Sequence, residues 1–276
     1  MLKTLFPKQV EQLETEGFCS PVRVFESGEM AAYREQLEGV ERSDPDLSVR
    51  IEQLPHLILP WMSRLVKHPP LVNAWRDLFG DNLLLTSTAL RRKEPGAGQY
   101  AGWHQDTFYI RYEPAWYVCL VAITEQTVAN GCLHLIPGSH RWPLLTHEDG
   151  KDRNSVLTRG QNITEAFDES NAVGVEMAPG EIMFFHPGMV HGSPPNHSDQ
   201  RRVLLLVEVC PPQTKRLGTR GRANILRGED THGHFDLLPW PRVECGAHET
   251  ATHRLACQSR ADEMYAGSDR TPAGLR

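Results

Sequence analysis

Trp103-His104-Gln105-Asp106 decides how this chain reads. In an extended strand, side chains alternate between two faces, so a histidine and an acid two residues apart point the same way. One face of one strand then offers an imidazole nitrogen and a carboxylate oxygen to a single metal ion. A third ligand is needed, and His191, in Gly188-Met189-Val190-His191-Gly192-Ser193, is the best candidate. Two histidines and one carboxylate on one side of a metal leave neighbouring positions open, which is the facial arrangement of non-haem Fe(II) oxygenases. His186 is the nearest rival. Phe184-Phe185 before it and Pro187-Gly188 after it place it at a strand end.

Upstream, the chain reads as helical over residues 1–80. Pro7 to Glu16 carries Val10 and Leu13 among charges, and Gly17 stops it. Ser27 is the expected cap of a second helix running to about Glu41, with Met30, Tyr33, Leu37 and Val40 at spacings of three and four. Trp61 to Val66 and Leu71 to Phe79 predict two more helices, separated by Pro69-Pro70. Beyond Gly80-Asp81-Asn82 the period changes to that of strands. Leu83 to Leu90, Tyr100 to Tyr109, Trp116 to Ile123, Cys132 to Ile136, Gly180 to Phe185 and Arg202 to Val209 are apolar or β-branched runs separated by Gly/Pro turns. The expected fold is mainly β with flanking α: a double-stranded β-helix (a cupin-like jelly roll) over 83–210, with the N-terminal helices packed outside it. One oxygenase domain is expected over 1–246, with a short helix and frayed tail over 247–276. Residues 144–172, polar and between two strands, read as a lid.

Arg202 completes the chemistry. A 2-oxo acid binds a metal through its carboxylate and keto oxygen, and a second, distal carboxylate as in 2-oxoglutarate needs a cation. Arginine holds a carboxylate with two parallel hydrogen bonds. Arg202 opens a strand eleven residues after His191. The expectation is that a turn around Pro194-Pro195-Asn196 pairs the two strands and brings Arg202 beside His191. Arg201 then faces outward, and Ser193 could add a hydroxyl. Arg91, Arg92 and Lys93 read as a solvated basic loop, with contact to an acidic substrate as the alternative. Trp103, Tyr109, Trp116 and Tyr117 read as core aromatics and as candidates to line a pocket. His232, His234, His248 and His253 are expected on the solvent side.

Composition narrows the class. A net charge of −6 and a pI near 6.1 exclude a typical nucleic-acid-binding surface. No apolar run approaches the roughly 18 residues of a membrane span. The first eight residues hold no long apolar stretch, and the six cysteines form no close pair. The expectation is a cytoplasmic protein, a monomer or homodimer, acting on a small molecule with dioxygen.

Taken together, Trp103 to Asp106, Asn130-Gly131-Cys132-Leu133, Pro137-Gly138-Ser139-His140, Gly180-Glu181, His191-Gly192-Ser193, Asn196 and Arg202 resemble the phytanoyl-CoA dioxygenase family of Fe(II)/2-oxoglutarate-dependent oxygenases, in order and spacing over about residues 5 to 210. The resemblance implies iron at His104, Asp106 and His191, and 2-oxoglutarate held by Arg202 with Ser193, Thr88 being a further candidate. Relatives that chlorinate replace the carboxylate by a small residue. Asp106 therefore implies hydroxylation of a C–H bond, or another oxidation such as desaturation or ring formation. Gly221 to Pro239 resembles bacterial small-molecule members. The competing readings are a cupin-type metal enzyme that does not use 2-oxoglutarate and a non-catalytic ligand-binding jelly roll.

Overall fold

The computed structural model describes residues 4–114 and 116–265. Two sheets face each other. The larger has seven strands, in the order Phe18–Arg23, Glu181–Phe185, Tyr117–Ala122, Arg202–Cys210, Leu83–Lys93, Gly221–Arg227 and Phe235–Leu237; the smaller has four, Ala101–His104, His191–Ser193, Leu133–Leu135 and Val173–Val175. All pairings are antiparallel except the last of the large sheet, which is parallel. The chain is a double-stranded β-helix, as the strand pattern predicts.

The large sheet is buried on both faces, which is why its strands read as near-continuous apolar runs. Cys119, Val121, Ile182, Phe184, Leu205 and Val207 face outward, under Met30, Leu37, Trp61, Leu65 and Trp75 of the N-terminal helices. Val118, Leu120, Met183, Phe185 and Leu204 face inward and form a second core between the sheets. Each such large apolar side chain contributes roughly 1.5–3 kcal/mol on leaving water, so a single-residue slip in register would misplace both cores at once.

Helices occupy Pro7–Glu16, Ser27–Ser43, Pro45–Arg50, Pro60–Val66 and Pro69–Phe79. Ser27 is not the cap of its helix. Glu26 is the cap, and its N–H donates to Glu29 Oε2 at 2.8 Å. Pro69 and Pro70 form the first turn of the fifth helix, where a missing N–H costs nothing.

The sheet extends beyond the expected 83–210 at both ends. Phe18–Arg23 lies at one edge, where Pro21, which cannot donate to a ladder, is tolerated. Its proline breaks the strand pattern and hides it in the sequence. Residues 144–172 are not a bare loop. His147–Glu148 pairs with Asn162–Ile163, and Ile163 packs with Ile136 and Val190. The segment read as a short helix and frayed tail holds an 18-residue helix, Ala247–Met264, whose His253 is buried, not solvent-side, and hydrogen-bonded to Gln53 O at 2.8 Å. The remainder of that tail lies outside the described residues. Among the described residues no helix is long and apolar enough to cross a membrane.

Candidate metal centre

His104 ends the Ala101–His104 strand, and Gln105 keeps extended dihedrals (φ −119°, ψ 129°), so Asp106 projects to the same side although it begins a 3-10 turn. His191 opens the adjacent strand, directly opposite His104 in register. Its Nε2 lies 3.8 Å from Asp106 Oδ2, and His104 Nε2 lies 3.5 Å from Asp106 Oδ1. One ligand atom from each residue falls within 4.8 Å of the others.

The donor set fits a first-row divalent metal. Two atoms each about 2.1 Å from one ion are at most roughly 4.2 Å apart, and both measured separations are below that. The tautomers are preset: each Nδ1 is held by a carbonyl two residues back along the chain, Gly102 O at 2.8 Å for His104 and Met189 O at 2.9 Å for His191. An Nδ1–H donating there leaves each Nε2 lone pair free for the metal. Burial, and then the neighbouring His104, hold His191 down at about 4, so it is neutral and ready to ligate at physiological pH. Burial alone would raise Asp106, but the two imidazoles bring it below the ordinary range, so it is a carboxylate.

Gln105 points away from the metal and anchors the chain around it. Its Nε2 donates to Gly188 O at 2.9 Å and Pro143 O at 3.3 Å, and its Oε1 accepts from Leu145 N at 2.8 Å. It thus ties the ligand strand to the turn before His191 and to the start of the 144–172 segment. Its backbone N–H donates to His147 Nε2 at 3.0 Å, and the His147 ring stacks on Phe108.

Arg202 is buried across the barrel from the triad, but not by the expected hairpin. The His191–Ser193 and Arg202–Cys210 strands belong to different sheets, and residues 194–201 cross between them. Asn196 fixes that crossing by donating to Lys93 O at 3.1 Å and Gln200 O at 2.8 Å. Arg202 Nη1 donates to Gly131 O at 2.7 Å and to Ser193 Oγ at 3.2 Å. Its Nε is buried without an acceptor among the described residues, an open donor of the kind a carboxylate would fill. Gly131 holds φ +76°, and a Cβ there would collide with the Pro194 carbonyl oxygen, so a side chain would disrupt this corner. Arg201 faces outward, to Glu41 at 2.6 Å and Glu94 at 2.6 Å.

The basic cluster is not a solvated loop. The Leu83–Lys93 strand continues through it, sending Arg92 outward to Glu41 and Glu52 and Arg91 and Lys93 inward. Lys93 is the residue missed in the sequence. It is 1% exposed, and its Nζ contacts Ser193 Oγ and Pro194 O and donates to Ser193 O at 3.0 Å. The signal was available: with Arg92 outward, period-two alternation turns 91 and 93 inward. Thr88, in contrast, does not join the site. A bulge between Leu85 and Ser87 puts it on the outer face, with its hydroxyl 2.6 Å from His56 Nδ1.

The triad and Arg202 open into a cavity of about 110 Å³ whose walls include Tyr109, Trp116, Leu120, Phe185, Leu204 and Leu206. Trp103 is outside it, donating to Glu169 and packed edge-on to Phe167. Tyr117 is also outside, stacked on Phe79. Val156, Leu157, Thr158 and Gln161 supply one wall, and Arg260 of the C-terminal helix another. Arg260 is paired with Glu208 at 2.8 Å.

A β-helix carrying a His-x-Asp…His set over an apolar cavity defines the cupin-like non-haem metal proteins as a class. Comparison with known proteins is more specific. The family described as Phytanoyl-CoA dioxygenase (PhyH) matches residues 13–204, and the chain belongs to it. A probable phytanoyl-CoA dioxygenase of Caenorhabditis elegans is 34% identical over 148 residues, 51% of this chain and 47% of that protein. A probable alpha-ketoglutarate-dependent hypophosphite dioxygenase of Stutzerimonas stutzeri is 30% identical over 162 residues, 57% of this chain and 55% of that protein. The chain therefore spans about half the length of the curated relatives it matches. Among solved structures, the apo form of a non-heme monooxygenase, ThoJ, aligns with a TM-score of 0.80 at 27% identity, over 93% of this chain and 97% of that one.

Proposed function

We propose that this protein is an Fe(II)- and 2-oxoglutarate-dependent dioxygenase that hydroxylates a C–H bond of a small-molecule metabolite. The observation that carries the reading is the pairing, in one cavity, of two buried histidines and a partly buried aspartate with a buried arginine whose Nε lacks an acceptor among the described residues. His104, Asp106 and His191 would hold the iron. Arg202, Lys93 and Ser193 would hold the distal carboxylate of 2-oxoglutarate. Bound there, Fe(II) supplies dioxygen activation coupled to decarboxylation of the 2-oxo acid to succinate and carbon dioxide.

The chain's own residues set the conditions for that chemistry. Gly102 O and Met189 O keep both imidazoles presenting Nε2. Asp106 supplies the third ligand, so the position a halide would need is filled, which favours oxygen transfer over halogenation. Phe185, Leu120, Leu204 and Trp116 exclude water from the space beside the metal. The 144–172 segment, held at its start by Gln105, serves as a lid whose wall over the cavity selects the substrate. The protein is read as cytoplasmic and as a monomer or homodimer, which sedimentation analysis would resolve.

The direct test is incubation of the purified protein with Fe(II), 2-oxoglutarate and oxygen. Slow succinate formation without added substrate, abolished in Asp106→Ala, is the expected result. If 2-oxoglutarate shows neither iron-dependent binding nor turnover, the assignment fails.

A further inference from the structure

The metal cavity does not end at the metal. It adjoins a cleft of about 750 Å³, and Arg91, Arg202, Arg260, Val156, Thr158 and Met264 line both spaces. The cleft is bounded by four separate parts of the fold: the Pro45–Arg50 helix, the end of the Leu83–Lys93 strand, the 144–172 segment and the C-terminal helix.

Its charge is one-sided. Eight arginine and lysine residues line it against one carboxylate, Glu52, and Glu52 is already held by Arg92 at 2.8 Å. Lys93 and Arg202 belong to the corner assigned above to 2-oxoglutarate, and Arg260 is neutralised by Glu208 at 2.8 Å. Arg50, Arg91, Arg153 and Arg254 remain, and none has a carboxylate within ion-pair distance among the described residues. In a chain of net charge −6 such a concentration of uncompensated cation is not the average surface. Exposed arginines on a rim are ordinarily just solvated, and Arg50, Arg153 and Arg254 are exposed. Arg91 is different. It sits half-buried at the junction of the two spaces, and the hydrogen bond its guanidinium makes is to the carbonyl of Leu90 at 3.1 Å. Burial lowers its pKa, a desolvation cost that an anion beside it would offset. Cations of one sign around a concavity also focus the field and draw anions inward.

We infer that the cleft recognises the anionic part of the substrate. The ligand class is a small molecule with at least two negative charges, phosphate or carboxylate, anchored on Arg91 nearest the metal and on Arg153 and Arg254 at the rim. Its oxidisable carbon then reaches the apolar metal cavity. The volume falls in the roughly 300–1,000 Å³ range of sites for drug-sized ligands, well beyond a lone phosphate ion. The inference rests on the metal cavity being the place of oxidation, as proposed above.

The test is calorimetric titration of the full chain with fructose 1,6-bisphosphate, tricarballylate and, as the uncharged control, fructose. At least one of the two polyanions should bind, fructose should not, and the affinity should fall as salt is added. Binding of the bisphosphate alone identifies a phosphorylated substrate, and of tricarballylate alone a polycarboxylate. The double variant Arg153→Gln/Arg254→Gln should weaken polyanion binding at least about tenfold while leaving iron-dependent 2-oxoglutarate binding unchanged. Polyanion binding no tighter than that of fructose overturns the inference. So does undiminished binding in the double variant, or complete displacement of the polyanion by 2-oxoglutarate in the Fe(II) protein, which would place it at the cosubstrate corner. Should the oxygenase reading itself fail, iron-dependent 2-oxoglutarate binding is lost while the polyanion titration persists.

Discussion

Lys93 and Arg202 converge on a single acceptor. Arg202 Nη1 lies 2.7 Å from Gly131 O and Lys93 Nζ 3.4 Å from the same oxygen. Two buried cations so close disfavour each other. Burial, and then the charge of Arg202, lower Lys93 to about 6, so above that pH it is mostly neutral in the ligand-free protein. A carboxylate placed between them favours the charged amine, so 2-oxoglutarate binding should take up a proton. Its affinity should therefore fall as pH rises from 6 to 8, by at most about tenfold per unit. Lys93→Met should flatten this dependence and weaken 2-oxoglutarate binding by about tenfold at pH 6, with iron binding retained. Titration of the anaerobic Fe(II) protein at several pH values measures both. A wild-type profile as flat as that of the variant would remove Lys93 from the cosubstrate site.

Thr88 offers the complementary case. His56 Nε2 lies 3.0 Å from Asn224 Oδ1, and the Asn224 amide group is engaged with Leu238 O and Pro239 O. Asn224 therefore accepts from His56, whose Nδ1 accepts from the Thr88 hydroxyl. Burial holds His56 down at about 3, so it remains neutral. Thr88→Val should leave that nitrogen unpaired and cost about 1–3 kcal/mol of stability, read by urea unfolding, with no change in 2-oxoglutarate affinity. A large loss of affinity at full stability would return Thr88 to the site.

The contrast between these two residues shows what the sequence could and could not reveal. That His104, Asp106 and His191 come together with Arg202 in one cavity was legible because their spacing and residue types have few other uses, and the strands were legible because two buried faces leave long apolar runs. Thr88 was a candidate only through the family resemblance, and the one-residue bulge near Ser87, which reverses the alternation of facing, turns it away from the cavity. Lys93 was missed because a charged Arg-Arg-Lys run resembles a loop, although only its middle residue points to the outer face of the sheet, where it pairs with Glu41 and Glu52. The cavity wall formed by the Ala247–Met264 helix was out of reach. Arg260 meets Glu208 only through tertiary packing, across 52 residues of chain.

Gln105 has no metal role, yet its loss should be felt at the metal. Gln105→Ala removes its amide's hydrogen bonds to Gly188, Leu145 and Pro143 and leaves buried backbone groups unpaired. The expected cost is about 2 kcal/mol, or a Tm lower by roughly 3–4 °C in a chain of this size. Because the same bonds fix the start of the 144–172 segment, substrate turnover should fall further than uncoupled succinate formation. Equal losses in the two rates would argue against a lid hinged at Gln105.

The pair between Arg260 and Glu208 gives the sharpest test of how the C-terminal helix belongs to the cavity. Glu208 is buried on the inner face of the strand that begins at Arg202, and Arg260 is the cation that compensates it. Arg260→Met should leave an unpaired buried carboxylate and cost about 3–5 kcal/mol. Glu208→Gln in the same chain removes the stranded charge, so the double variant should recover most of that loss. Urea unfolding of the wild type, both single variants and the double variant yields the coupling directly. A double variant whose loss equals the sum of the two single losses would mean that the helix is held by its apolar contacts and that the ion pair adds nothing. Strong coupling would instead make the helix part of the cavity's charge balance, so that truncating the chain before residue 247 should expose Glu208 to solvent and reduce turnover even where iron and 2-oxoglutarate still bind.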